Sequence, residues 1–303
     1  MNKIKHLLRD RNFILVSGLA IGLIWDKGAH LTEELMLPAL AVVMTLSVMS
    51  IPGNAFRSFK TIAVPGMIGI LMSYLIHGGF LLILSKLLIH DEALWNGFII
   101  LAAVPPAIAV IPFTLFLNGA SNLSLMGTLG AYLGALIITP LIALVFFGSS
   151  FIAPLKLLTI IVELILLPII LSRILIWTGI NHLLEPVKGP VTNWSFFLIT
   201  YTIVGLNRQV FLTQPVSLLP VACIAAASTF LLGWIIEGIA RMLHIDKATI
   251  VSLVLLGTLK NYGLSGGLAL SFFDQKTALP STVSVIFMII YIIWLEFRKR
   301  RDP

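Results

Sequence analysis

Residues 253–270, LVLLGTLKNYGLSGGLAL, constrain this chain more than any other stretch. The run is apolar and about as long as a membrane crossing, which takes about 20 predominantly apolar residues. Yet its middle carries Lys260, Asn261 and Tyr262, flanked by Gly257, Gly263, Gly266 and Gly267. An ammonium at the centre of a spanning helix costs about 2.5–3.5 kcal/mol on insertion scales, so it needs an interior partner. Irregular backbone at membrane depth survives only where protein buries it or a wet cavity receives it. A chain with this segment has to build a protected polar site inside a bundle of apolar helices.

Composition points to lipid as the main solvent. Of the 303 residues, 58% are hydrophobic and only 11% charged, with a mean hydropathy of +1.04. Ordinary soluble domains carry about 25% charged residues. The net charge is +7, but the basic residues sit at the chain ends and in short loops and form no face for nucleic acid. A single cysteine, Cys223, leaves no internal disulfide. The opening MNKIKHLLRDRNFILVSGLAIGLIW lacks the small-residue cleavage site of a secretory signal and is read as a retained first span.

Ten spans are expected, near 12–25, 32–51, 62–88, 95–117, 122–147, 152–177, 192–206, 214–241, 247–273 and 277–296. The loops between them test the orientation, because cytoplasmic loops collect lysine and arginine. With the N-terminus inside, fourteen basic residues fall inside, among them Lys3, Lys5, Arg9, Arg57, Arg241 and Arg298. Five fall outside: Lys27, Lys86, Lys156, Arg208 and Lys276. Both termini come out cytoplasmic, as an even number of spans requires. The expectation is an all-α integral protein of the inner membrane, with no soluble domain.

Two spans resist an unbroken helix. The fourth contains Pro105, Pro106 and Pro112, each removing a backbone donor and clashing one turn back. The ninth contains the lysine and the glycines. The chain divides near residue 150 into five spans (1–150) and five more (151–303), and each break falls in the fourth span of its half. Five is odd, so the halves run in opposite senses. This is the pattern of a secondary transporter built from inverted repeats, whose broken helices cross near the midplane.

The chain resembles the bile acid:sodium symporters. SKLLIHDEALWNGFIILAAVPP (85–106) has that family's spacing into the fourth helix, LLGTLKNYGLSGGLAL occupies its ninth-helix motif, and ALPSTVSVIF (278–287) matches the opening of its last helix. The prolines of VPPAIAVIPF also resemble the crossover of auxin-efflux-type carriers. The resemblance implies a panel domain of spans 1, 2, 6 and 7 and a core domain of spans 3–5 and 8–10, moving against each other. It also implies where the family's sodium ligands fall, and here they are lost. The family's serine and asparagine become Val110 and Ile111, its glutamate becomes Leu256 and its glutamine becomes Lys260; Asn261, Gly263 and Leu264 persist. A hard cation wants several oxygens, some of them anionic. No sodium site, metal or cofactor is therefore expected.

Lys260 then has three open uses: carrier of a coupling proton, fixed counter-charge to an anionic substrate, or static tether. The alternative is that it snorkels to an interface. Thr258, Asn261 and Tyr262 flank it, and Pro105, Pro106 and Pro112 mark the facing break. Glu237 is a candidate partner for Lys260, or for Arg241 one turn on. Thr114, Asn118, Thr128 and Tyr132 are plausible polar linings. His77 and Glu163 are titratable candidates, His77 set against the reading of a satisfied packing residue. Asn207, Arg208 and Gln209 follow the seventh span and read by default as solvated loop residues, with the lining of an outer vestibule as the other reading. The expected function is a secondary carrier of a small organic anion, without sodium coupling, with protons as a possible partner ion. The alternatives are an uncoupled facilitator or auxin-efflux-type permease, an intramembrane enzyme, or a receptor. The enzyme reading finds no H-E-x-x-H, no G-x-S-x-G and no paired aspartates on one helix.

Overall fold

A computed structural model describes residues 10–50, 59–148, 154–213 and 215–301. Lys3, Lys5, Arg9 and Arg57 of the charge pattern, both chain ends and the expected boundary at residue 150 lie outside the described residues. Among the described residues every regular element is helical, and the only extended pairing is one isolated bridge. Among the described residues five helices are long and apolar enough to cross a membrane: Ala29–Val48, Ala63–Leu88, Ser121–Phe147, Pro215–Met242 and Gln275–Lys299. Shorter apolar helices include Asn12–Ile24, Glu92–Ala103 and Lys247–Thr258. The outer surfaces are oily: Ser121–Phe147 leaves Ile137, Leu141, Leu144 and Val145 exposed, a stripe at helical spacing. Such a patch suits lipid and is unusual on a soluble monomer.

The helices pack in two groups. In the first, Arg11–Ile24 lies along Asn181–Leu206, and Met36–Val48 packs on both Asn181–Leu206 and Pro154–Trp177. Gly18 and Gly22 set the closest approach, since a Cβ on either would sit 3.0 Å from the carbonyl oxygen of Phe197 or Tyr201. Small residues four apart serve this purpose in membranes, where close van der Waals contact has to replace the hydrophobic effect. In the second group, Phe59–Ile70 lies against Ser121–Phe147. A Cβ on Gly69 would fall 2.0 Å from the Gly127 oxygen, and one on Gly130 2.2 Å from Gly66 Cα. Glu92–Ala103 and Tyr262–Phe272 both pack on Gln275–Arg301, and Lys247–Thr258 packs on Leu232–Met242.

Several expected boundaries shift. The seventh helix is not short: it runs from Asn181 to Leu206 and keeps Pro186 and Pro190 inside it. The helices over the expected third and eighth spans run on through π turns, at Leu71–Gly78 and Ala227–Leu231. The fourth is interrupted over residues 104–109, between Glu92–Ala103 and Val110–Phe116. Pro112 is no breaker. It occupies the first turn of Val110–Phe116, where the first four N–H groups lack helical partners anyway. The ninth is interrupted only over residues 259–261, between Lys247–Thr258 and Tyr262–Phe272. Its glycines lie inside the two helical halves and act as contact points. A Cβ on Gly263 would come 2.9 Å from Leu40, and one on Gly267 2.8 Å from Leu37, both on the first group of helices.

Candidate functional site

The two interruptions meet. Val104 is extended, at φ −80 and ψ 154, as the residue before a proline prefers. Pro105 and Pro106 then carry no N–H, so the helix cannot continue. Pro106 pairs with Lys260 in an antiparallel bridge. The bonds are made by the neighbours, with Ala107 N–H donating to Leu259 O at 2.9 Å and Asn261 N–H to Pro105 O at 3.0 Å. This is the antiparallel pair whose own residues exchange no bond, so a proline fits without losing anything.

Caps fix where each half begins. The Asp91 carboxylate accepts from Leu94 N–H to open Glu92–Ala103, and Asp246 accepts from Thr249 N–H to open Lys247–Thr258. Asn261 does the same for Tyr262–Phe272, accepting from Leu264 N–H at 3.0 Å. Side-chain acceptors at this position satisfy donors that the first helical turn leaves free. The Asn261 amide also donates to Tyr132 OH at 2.9 Å, tying the crossing to Ser121–Phe147. The far end of Val110–Phe116 closes through Asn118, at φ 57, a conformation asparagine tolerates better than most residues.

Lys260 is fully buried, with 0% exposure. Its ammonium donates to Ala102 O at 2.9 Å and to Val104 O at 2.7 Å, and lies 4.7 Å from the centre of the Tyr74 ring. Both carbonyls lie at the end of Glu92–Ala103, where the last C=O groups of a helix lack helical donors, and Pro106 removes the donor that Ala102 would have used. Thr139 takes a third, its hydroxyl donating to Ala103 O at 2.7 Å. The C-terminus of a helix carries about half a negative charge, and the aromatic face adds attraction for a cation. Lys260 thus caps the first broken helix from the second. Snorkelling to an interface does not occur.

The other expected residues divide. Thr258 is buried beside the bridge, its hydroxyl donating to Val254 O at 2.7 Å, and Tyr262 OH reaches Thr258 O at 3.4 Å. Thr128 lines a small, largely apolar pocket with Met44, Ile108, Ile111, Tyr132 and Ile169, and its hydroxyl has no partner among the described residues. Thr114 is held away from the lysine by Val110 O at 2.8 Å and Ser124 Oγ at 2.7 Å. Glu237 does not pair with Lys260. It binds Arg298 through both oxygens at 2.7 Å and also pairs with Arg241. Glu163 is exposed on its helix. Asn207 and Gln209 line an open cavity of about 780 Å³ with Asp26, His30, Asp91, Asp274 and Lys276. Arg208 turns aside, donating to Leu23 O at 2.8 Å and facing Asp26 at 3.6 Å. At this mouth the Lys276 ammonium beside Asp91 holds its carboxyl below the usual carboxylate range.

Sequence reasoning missed Tyr74, Thr139 and the Ala102 and Val104 carbonyls. Tyr74 left a signal, since it stands three residues from His77 in the same span. The carbonyls left none. Searches against protein-family models and curated proteins find no match for this chain.

Proposed function

We propose that the chain is a secondary carrier of a small organic anion in the inner membrane, and that the Lys260 ammonium serves in place of a bound sodium ion. The observation that carries the reading is the coordination of that ammonium. Oxygen dipoles freed by a broken helix, plus one aromatic face, surround a cation at the point where two interrupted helices meet. In carriers of this kind, unwound carbonyls and half-helix C-termini are where a coupling cation sits. Here the cation belongs to the chain.

On this reading the chain has ten spans in two inverted five-helix repeats, with both termini cytoplasmic. The two packing groups correspond to a panel and a core. The glycine face of Tyr262–Phe272 against Leu37 and Leu40 supports a contact between them at which backbone approaches side chain closely. The cavity at Asn207 and Asp274 is then the outer vestibule. The anionic group of the substrate is expected at the positive N-terminal end of Tyr262–Phe272, whose cap Asn261 binds Tyr132. Val110, Ile111 and Leu256 are buried hydrocarbon at 0%, 8% and 0% exposure and offer a sodium ion nothing.

The deciding experiment is flux in proteoliposomes, guided by a thermal-stability screen of the purified protein against organic acids. A substrate raises apparent stability by mass action. The expected result is saturable uptake of at least one stabilising acid, equal in sodium and in choline. No flux for any stabilising acid would remove the carrier reading, and sodium-dependent flux would remove the replacement of the ion.

A further inference from the structure

The open cavity of about 780 Å³ is large enough for an organic molecule, and both groups of helices wall it. Leu206 ends Asn181–Leu206 of the first group, while Leu94 and Leu279 belong to Glu92–Ala103 and Gln275–Arg301 of the second. Asn207 lines the cavity at only 2% exposure. Its amide nitrogen donates to Ile203 O at 3.0 Å and to Thr282 Oγ1 at 3.3 Å. Ile203 O is a carbonyl, and the Thr282 hydroxyl gives its own proton to Ala278 O at 2.9 Å. Both neighbours therefore accept, which fixes the nitrogen toward them. The amide oxygen has no partner among the described residues and is left for the cavity. An amide oxygen offers two acceptor sites and no donor, so what it takes is a donor.

The charges around it narrow the choice. Two helices begin at this cavity, and a helix start attracts anions. Each start already holds a carboxylate: Asp91 caps Glu92–Ala103, and Asp274 opens Gln275–Arg301 by accepting from Thr277 N–H at 2.8 Å. The nearby cations are occupied too, since Lys276 pairs with Asp91 and Arg208 faces Asp26. Asp274 pairs with no cation among the described residues, and it is exposed to the cavity. A metal ion is a poor fit, because among the described residues no three His, Cys, Asp or Glu side chains gather closely enough to hold one. A primary ammonium has three donors and no acceptor, matching one free carboxylate and one buried amide oxygen.

We propose that this cavity is a binding site for a primary ammonium group, with Asp274 supplying the charge and Asn207 a directed acceptor. A plain organic anion meets carboxylates at both helix starts and is disfavoured. A route for the rest of the molecule leads inward. Ser281, next to Thr282, donates to Ser265 Oγ at 2.7 Å, and Ser265 stands one turn beyond Asn261 at the start of Tyr262–Phe272. The solute is then zwitterionic, its ammonium recognised at the cavity and its anionic group destined for that helix start. This last part rests on the carrier reading; the ammonium site does not.

The test is calorimetric titration of the full chain in lipid nanodiscs, with empty nanodiscs as the blank. The probes are γ-aminobutyrate, butylamine and butyrate, which share one carbon chain length and differ in their charged groups. The two amines should bind saturably and butyrate should not. Asp274→Asn keeps a good helix cap and removes the charge, so amine affinity should fall about tenfold. Gln275→Glu, on the exposed cavity wall, should tighten amine binding, and Gln275→Lys should weaken it. Butyrate binding as well as γ-aminobutyrate overturns the proposal. So does an unchanged amine affinity in Asp274→Asn, or the absence of saturable binding by either amine. Flux decides the carrier reading separately. Amine binding without flux leaves this site standing, and flux of an acid without amine binding leaves the carrier standing without it.

Discussion

Lys260→Met keeps an unbranched chain of similar length and removes the ammonium. Ala102 O and Val104 O would then be buried acceptors without donors, at about 1–3 kcal/mol each. The variant should therefore lose about 2–6 kcal/mol, read as an earlier midpoint in thermal unfolding of the purified protein. A loss below about 0.5 kcal/mol would mean that the cap is idle. Flux, or its pH dependence, should fall as well. Glu237 makes a contrast. Its bidentate pairing with Arg298 belongs to the end of the bundle, so Glu237→Gln should weaken the packing of Leu232–Met242 on its neighbours while the crossing stays intact. For sodium the expected outcome is indifference, with wild-type midpoints in sodium chloride and choline chloride agreeing.

At the level of elements, the glycines divide into contact points and free positions. Gly69→Ala pushes a methyl into the Gly127 carbonyl, 2.0 Å away. Backbone cannot give way there, so the pairing of Phe59–Ile70 with Ser121–Phe147 should lose about 1–3 kcal/mol or more. Gly238 has nothing within 4 Å of its would-be Cβ, and Gly238→Ala should stabilise by about 0.5–1 kcal/mol through helix propensity alone. If thermal midpoints of the two variants move together, close packing is not what these glycines do. The caps of the two broken helices respond to acid. The carboxyls of Asp91 and Asp246 lie below their ordinary value, Asp91 through Lys276 and Asp246 through Thr249. A depressed folded-state value means that their stabilisation is complete above the usual carboxylate range, near pH 4, and fades as pH falls through the folded-state values. Asp91→Asn should flatten that acid loss while keeping the cap. Sequence alone located both breaks because Pro-Pro cannot be helical and a lysine cannot sit in oil unpaired. It spread the second break over the glycines, because glycine marks close contact between membrane helices as readily as an interruption. It also cut Asn181–Leu206 short, since Glu185, Lys188 and two prolines read as loop. Main-chain acceptors such as Ala102 and Val104 leave no trace in a list of side chains, so the lysine's partners were illegible.

For the whole molecule, sidedness is the claim most open to direct trial. Cys223 is the single cysteine and is exposed. In a Cys223→Ser background, a cysteine placed at Gln209, on the cavity wall, should react with a membrane-impermeant thiol reagent added to intact cells. Reaction only after the cells are opened would invert the proposed orientation. The covalent bond that holds the Lys260 amine has a thermodynamic meaning as well. A dissolved ion can be released on one side of a membrane and replaced from the other, and each cycle then draws on the difference in its electrochemical potential. An amine fixed to residue 260 never leaves, so it has no potential difference to draw on. It can hold the crossing together in fresh water or in brine with equal firmness. It cannot push a solute uphill, and any accumulation of substrate has to be driven by some species that crosses.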